Sequence, residues 1–156
     1  MKRILAIWAI AALTLSVRAQ QNSDAVPSKK LELKNLPPAV QRTIRDESKG
    51  AEIRHIGKET EHGAAQYEVE TMLNGKHRDF EVDMKGTLLV VEEETTFEAI
   101  PAAAKAAILK KVADGKLGMV ELFKRRGETM YEAAYRSKGG KKHEVLVKAD
   151  GTETKE

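Results

Sequence analysis

Five carboxylates stand close together in "YEVETMLNGKHRDFEVD" (Tyr67–Asp83): Glu68, Glu70, Asp79, Glu81 and Asp83. At the centre of the stretch, Asn74-Gly75 is the strongest short signal for a two-residue hairpin turn, because both turn positions need positive φ. Such a turn sets residues opposite one another when their numbers sum to 149, so Glu68 faces Glu81 and Glu70 faces Asp79. Alternation with period two sends Tyr67, Val69, Phe80, Val82 and Met84 to one face and the acids, with Asp83, to the other. Like charges set opposite each other destabilise a sheet by about 0.2–1 kcal/mol per pair, so something must offset them. Arg54 or Lys58 on a neighbouring strand would do so, as would plain solvation. A cationic protein docking on the face, or a divalent cation, would serve equally. The expected partner-binding residues are therefore Glu68, Glu70, Asp79, Glu81 and Asp83. The alternative is an envelope cation-binding or sensing protein that uses the same acidic strand face.

The remaining residues offer little catalytic chemistry. "DFEVDMKG" (Asp79–Gly86) has calcium-loop spacing, but its interleaved apolar residues describe a strand, whereas a calcium loop must curl its oxygens around one ion. His55, His62, His77 and His143 form no tight metal spacing, and "HEVLV" at His143 lacks the second histidine of the helical zinc signature. The chain has no G-x-S-x-G, no phosphate-cradling glycine loop and no cysteine nucleophile. No catalytic residue, metal site or cofactor is expected, and the protein reads as a non-enzyme.

The elements that carry these residues recur along the chain. Gly63 opens "GAAQYEVE" and Gly127 opens "GETMYEAA", 64 residues later. At that offset Leu36-Pro37 falls on Ile100-Pro101, Ala39 on Ala103, and Ile44 on Ile108. At an offset of 65, "FEVDMKGT" falls on "VLVKADGT". Matches of this order imply a duplication. In each half a proline at a helix start presets the first turn. Val40, Ile44 and Glu47, then Ala104, Ile108 and Val112, follow helical spacing, and Gly50 and Gly115 stand where a C-cap glycine belongs. A strand, a hairpin and further strand-like sequence follow each helix. The expected fold is α+β: two tandem helix-plus-antiparallel-strand units, residues 31–95 and 96–156, forming one sheet with both helices packed on the same face.

The pattern of a "lP…A…I" helix, a strand, "G…YeV", a hairpin and "v…D..G" resembles the PepSY-like domain. The residues that carry the likeness in the first half include Leu36, Pro37, Ala39, Ile44, Gly63, Tyr67, Val69, Val82, Asp83 and Gly86. In the second half they include Ile100, Pro101, Ala103, Ile108, Gly127, Tyr131, Val147, Asp150 and Gly151. The tandem arrangement is similar to that of the family members grouped with secreted beta-lactamase inhibitor proteins. That resemblance implies a secreted or envelope module that binds proteins, among them hydrolases. Those inhibitors carry disulfides and an aromatic-rich face, whereas this chain has no cysteine and three phenylalanines, three tyrosines and one tryptophan.

Composition sets the compartment and excludes nucleic acid. Lys2 and Arg3, the apolar run "ILAIWAIAALTL" (Ile4–Leu15) and small Val17 and Ala19 predict a secretory signal peptide over residues 1–19. A flexible leader over 20–30 follows, and no membrane span is expected after cleavage. The protein is thus expected to be periplasmic or secreted. Removing 1–19 takes three of the 27 basic residues and none of the 24 acidic ones, so the mature chain is balanced and a nucleic-acid reading fails. Charge is nevertheless divided. Residues 36–99 hold 8 basic and 14 acidic side chains, and residues 100–156 hold 13 and 8.

Overall fold

The structure, a computed structural model, describes residues 30–61 and 63–155. The expected signal peptide (1–19) and the leader up to residue 29 lie outside the described residues. Short 3-10 turns at Leu33–Asn35 and Phe97–Ala99 lead into the helices α1 (Pro38–Glu47) and α2 (Ala102–Val112). Neither helix has a side-chain N-cap. Pro37 and Pro38 at the start of α1, and Pro101 at the start of α2, fix φ where the backbone N–H would lack a helical partner anyway.

Eight strands follow: β1 (Glu52–Glu61), β2 (Ala64–Leu73), β3 (Lys76–Asp83) and β4 (Leu88–Thr95) after α1, then β5 (Lys116–Arg125), β6 (Glu128–Arg136), β7 (Lys142–Lys148) and β8 (Glu153–Thr154) after α2. They form one antiparallel sheet in sequential order. This corrects the expectation of two tandem helix-plus-strand units. β4 and β5 pair through six residues each, from Val90↔Arg125 to Thr95↔Val120, so no boundary divides the sheet. A free edge between two halves would leave a row of unpaired backbone groups, and the β4–β5 ladder removes it. Among the described residues the architecture is one eight-stranded antiparallel sheet in sequential order with two α-helices, α2 lying in the connection from β4 to β5, and the α+β class holds in that broad sense.

Two apolar clusters bind the helices to the sheet. Val40 and Ile44 of α1 meet Ile56, Tyr67, Val69, Phe80 and Val82. Ala104, Ile108 and Val112 of α2 meet Val120, Ala133, Val145 and Val147. Side chains of odd and even number part to opposite faces along each strand, which leaves the other face of the sheet to a different set of residues.

The residues that recur at the 64-residue offset have identifiable work. Gly63 and Gly127 take φ of 80° and 81° at the β1–β2 and β5–β6 turns. Gly86 and Gly151 lie against the first turns of the helices. A Cβ on Gly86 would fall 2.7 Å from the Ala39 carbonyl carbon, and one on Gly151 would fall 2.7 Å from the Ala103 oxygen.

The two helices end differently. Past α1 the left-handed residue is Gly50, as the sequence suggests, but past α2 it is Ala113, with φ 47° and ψ −118°. Gly115 is instead held small by the Arg136 carbonyl oxygen, which lies against the place its Cβ would take. An alanine in this backbone region is strained by about 1–3 kcal/mol. Ala113→Gly should therefore stabilise the protein by about 1 kcal/mol, after the entropy that glycine adds to the unfolded chain is subtracted. A rise of several degrees in Tm, read by circular dichroism, is the expected result; an unchanged or lower Tm would contradict it.

Candidate functional site

The β2–β3 hairpin has the register that its turn chemistry dictates. Asn74 and Gly75 take φ of 53° and 80°, a type I′ turn, and Gln66↔Asp83, Glu68↔Glu81 and Met72↔His77 all obey the expected sum. Glu68 and Glu81 are thus direct neighbours. Glu70 and Asp79 are not paired in the ladder. Asp79 Oδ1 instead accepts the backbone N–H of Thr71 at 2.8 Å, and the Thr71 hydroxyl donates to the Arg78 carbonyl. A carboxylate has taken the place of a main-chain acceptor, and the ladder opens by two residues to admit it. On its other side Glu70 lies level with His55 of β1, while Gly57 lies level with Glu68. The basic side chains expected there do not take those places: Arg54 pairs with Glu52 at 3.0 Å, and Lys58 is level with Tyr67.

The five expected residues differ in burial. Asp79 and Glu81 are buried, at 6% and 3% exposure, whereas Glu68, Glu70 and Asp83 are half-buried. Asp83 closes the turn after β3: its Oδ1 accepts the N–H groups of Lys85 and Thr87, each at 2.8 Å. The Thr87 N–H above all holds the Asp83 carboxyl below its usual pKa. Asp150, at the matching turn after β7, accepts the Thr152 N–H and is lowered for the same reason. The "D..G" motif therefore builds turns in both halves.

The acidic field is wider than the hairpin. Register carries the same face from β3 through Asp79↔Glu92 to β4, through Glu94↔Glu121 to β5, and through Glu121↔Glu132 to β6. A row of three glutamates, Glu94, Glu121 and Glu132, thus crosses three adjacent strands. Beside them Val90, Phe123, Met130 and Leu146 form a separate apolar cluster that includes no residue of either helix. Sequence reasoning restricted to the hairpin missed these residues. The signal was present in "VELFK" and "TMYEA", where period-two alternation puts Glu121 with Phe123 and Met130 with Glu132.

Chemically, this face is a field of acceptors around an apolar centre. Glu59, Glu61 and Glu81 bring carboxylate oxygens within 4.8 Å of one another, and they are the residues whose donor set could hold a cation. Gln66 lies among them, its Nε2 donating to Glu59 at 3.1 Å and to Glu61 at 2.8 Å. Of the histidines, His143 stacks on Tyr135 with ring centroids 5.2 Å apart, and His62 lies outside the described residues. Among the described residues no helix is long and apolar enough to cross a membrane.

No protein-family profile matches this chain, and none of the curated proteins matches it in sequence. Solved structures do resemble it. A Bacteroides eggerthii protein, provisionally named as periplasmic, is 15% identical, with a TM-score of 0.61 and coverage of 77% of this chain and 86% of its own. A DUF2874-family protein of Bacteroides uniformis is 14% identical, with a TM-score of 0.60 and coverage of 76% and 86%. A BLIP-like protein of Bacteroides fragilis is 17% identical, with a TM-score of 0.54 and coverage of 77% and 84%. At such identities the likeness is one of fold, and the fold is BLIP-like.

Proposed function

We propose that this chain is a periplasmic or secreted, non-catalytic protein-binding module of the PepSY-like type, and that it docks the basic surface of a partner on the acidic face of its sheet. The observation that carries this reading is the register, which aligns Glu68 with Glu81 and Glu94 with Glu121 and Glu132. Each like-charged pair costs sheet stability, and a cationic partner turns that cost into complementarity. The periplasmic name of the B. eggerthii structure agrees with the signal-peptide reading. The BLIP-like neighbour supports a protein as the partner class.

The half-buried acids Glu68, Glu70, Glu92, Glu94 and Glu121 make the contact in this reading. Asp79 and Asp83 hold the backbone that presents them. Complementary charge of this kind raises association rate and selectivity more than affinity, and salt screens it.

The test is affinity capture from an envelope extract on immobilised residues 20–156, beside a Glu68→Gln/Glu70→Gln/Glu92→Gln/Glu121→Gln variant with a matching circular dichroism spectrum. A basic protein retained by the wild type in low salt, and lost by the variant, is the expected result. If that protein is a hydrolase, its activity is then assayed with and without the module. Identical retention on both columns would overturn the acidic face as the docking surface.

A further inference from the structure

Among the described residues β1 is a terminal strand of the sheet and is ten residues long, whereas the strand at the opposite edge, β8, has two. Long edges template further pairing, and proteins usually shorten, charge or cover them. The outer side of β1 already accepts one main-chain donor: the N–H of Leu31, which belongs to no strand, bonds to the Ile56 carbonyl at 2.8 Å. Backbone groups point to alternate sides along a strand. If Ile56 points away from β2, then so do Lys58 and Thr60, both of them exposed.

We propose that this outer edge of β1 takes an extended segment of the partner protein as an added strand. The inference rests on the docking reading above and names the form of the partner's contact. Side chains on β1 state what that segment must carry. On the acidic face the strand presents Glu59 and Glu61, drawn together by Gln66 and within 4.8 Å of Glu81. On the helix side it presents Ile56, 3% exposed, and the ammonium of Lys58. An added strand therefore gains from lysine or arginine level with Glu59 and Glu61. It loses from a cation on the other side, beside Lys58, where apolar residues would instead meet the partly buried edge of the cluster to which Leu31 and Leu33 add. The matching segment alternates apolar and cationic residues, bound through main-chain hydrogen bonds and read through side chains of alternate parity.

The probe is a fluorescein-labelled peptide, acetyl-Thr-Val-Lys-Val-Lys-Val-Thr-amide, titrated into the mature chain by anisotropy. A second peptide has the same side chains but alternate N-methylated amides, so it keeps the charge and loses the donors. The N-methylated peptide is expected to bind at least about tenfold more weakly, because several main-chain hydrogen bonds are lost. Thr60→Pro removes an outward N–H at a position where an edge strand tolerates proline, and should weaken the unmodified peptide similarly without changing the circular dichroism spectrum. Equal binding of both peptides would overturn the edge while leaving side-chain docking on the acidic face intact. Failure of the unmodified peptide to bind would also overturn it.

Discussion

Val69→Asp should abolish cooperative folding, whereas Glu68→Gln, one residue earlier, should leave stability within about 0.5 kcal/mol of wild type or raise it slightly. Val69 is fully buried in the cluster that packs α1 on the sheet, level with Ile56 and Phe80 on its neighbouring strands. Aspartate there must lose its hydration in an apolar site or bind a proton, and either cost is several kcal/mol. A domain of this size has only about 5–15 kcal/mol of stability to lose. Glu68 points to the opposite face beside Glu81, and neutralising it relieves like-charge repulsion. Urea unfolding followed by circular dichroism decides the matter. A Val69→Asp midpoint equal to that of the wild type would mean that the two faces of β2 have been assigned the wrong way round.

Arg78→Ala is expected to be the next most damaging change, at about 2 kcal/mol, the order of hydrogen bonds to charged groups lost from a half-buried pair. Arg78 is the junction between α1 and the sheet. Its Nη1 donates to the Glu47 carbonyl and its Nη2 to the Glu47 carboxylate, each at 2.8 Å, and its Nε donates to Glu93 at 3.3 Å. The guanidinium also lies 5.8 Å from the Phe80 ring centre. Truncation would leave both the end of α1 and the Glu47 carboxylate without this donor. Glu93 would keep Lys124, which bonds it at 2.5 Å and is the main reason its carboxyl is held below the ordinary pKa. Arg78→Lys should recover less than half of the loss, since an ammonium cannot match three diverging acceptors as a planar fork does. A loss under about 0.5 kcal/mol for Arg78→Ala would show that α1 is held by its apolar face alone.

Among the described residues the second half ties its helix to the sheet through different side chains. At the same offsets stand Lys111 and His143, and Lys111 instead pairs with Glu153 at 2.6 Å. The halves share turn glycines and apolar spacing, but the polar ties between helix and sheet are not shared. Nothing local in the helix end "DESKG" (Asp46–Gly50) could reveal this, because the contact joins residues 31 positions apart.

The hairpin around Asn74-Gly75, the proline-led helices, the inward set Tyr67, Val69, Phe80 and Val82, and the Glu68–Glu81 juxtaposition were all legible in the sequence. Each depends on interactions within a few residues: turn positions that demand positive φ, a proline φ that suits a first helical turn, and a side-chain period of two. Tertiary structure alone decided the rest. It paired β4 with β5 over six residues, so that the one sheet expected from the sequence runs on without the boundary between units that local pattern implied, because strand pairing satisfies backbone groups wherever a free edge would otherwise remain. It turned Asp79 into a backbone acceptor for Thr71. It also extended a five-residue stripe into an acidic field that reaches Glu132, beside an apolar cluster drawn from four strands. Which residues become cross-strand neighbours depends on registers set far apart in the chain, and no short window of sequence contains that information.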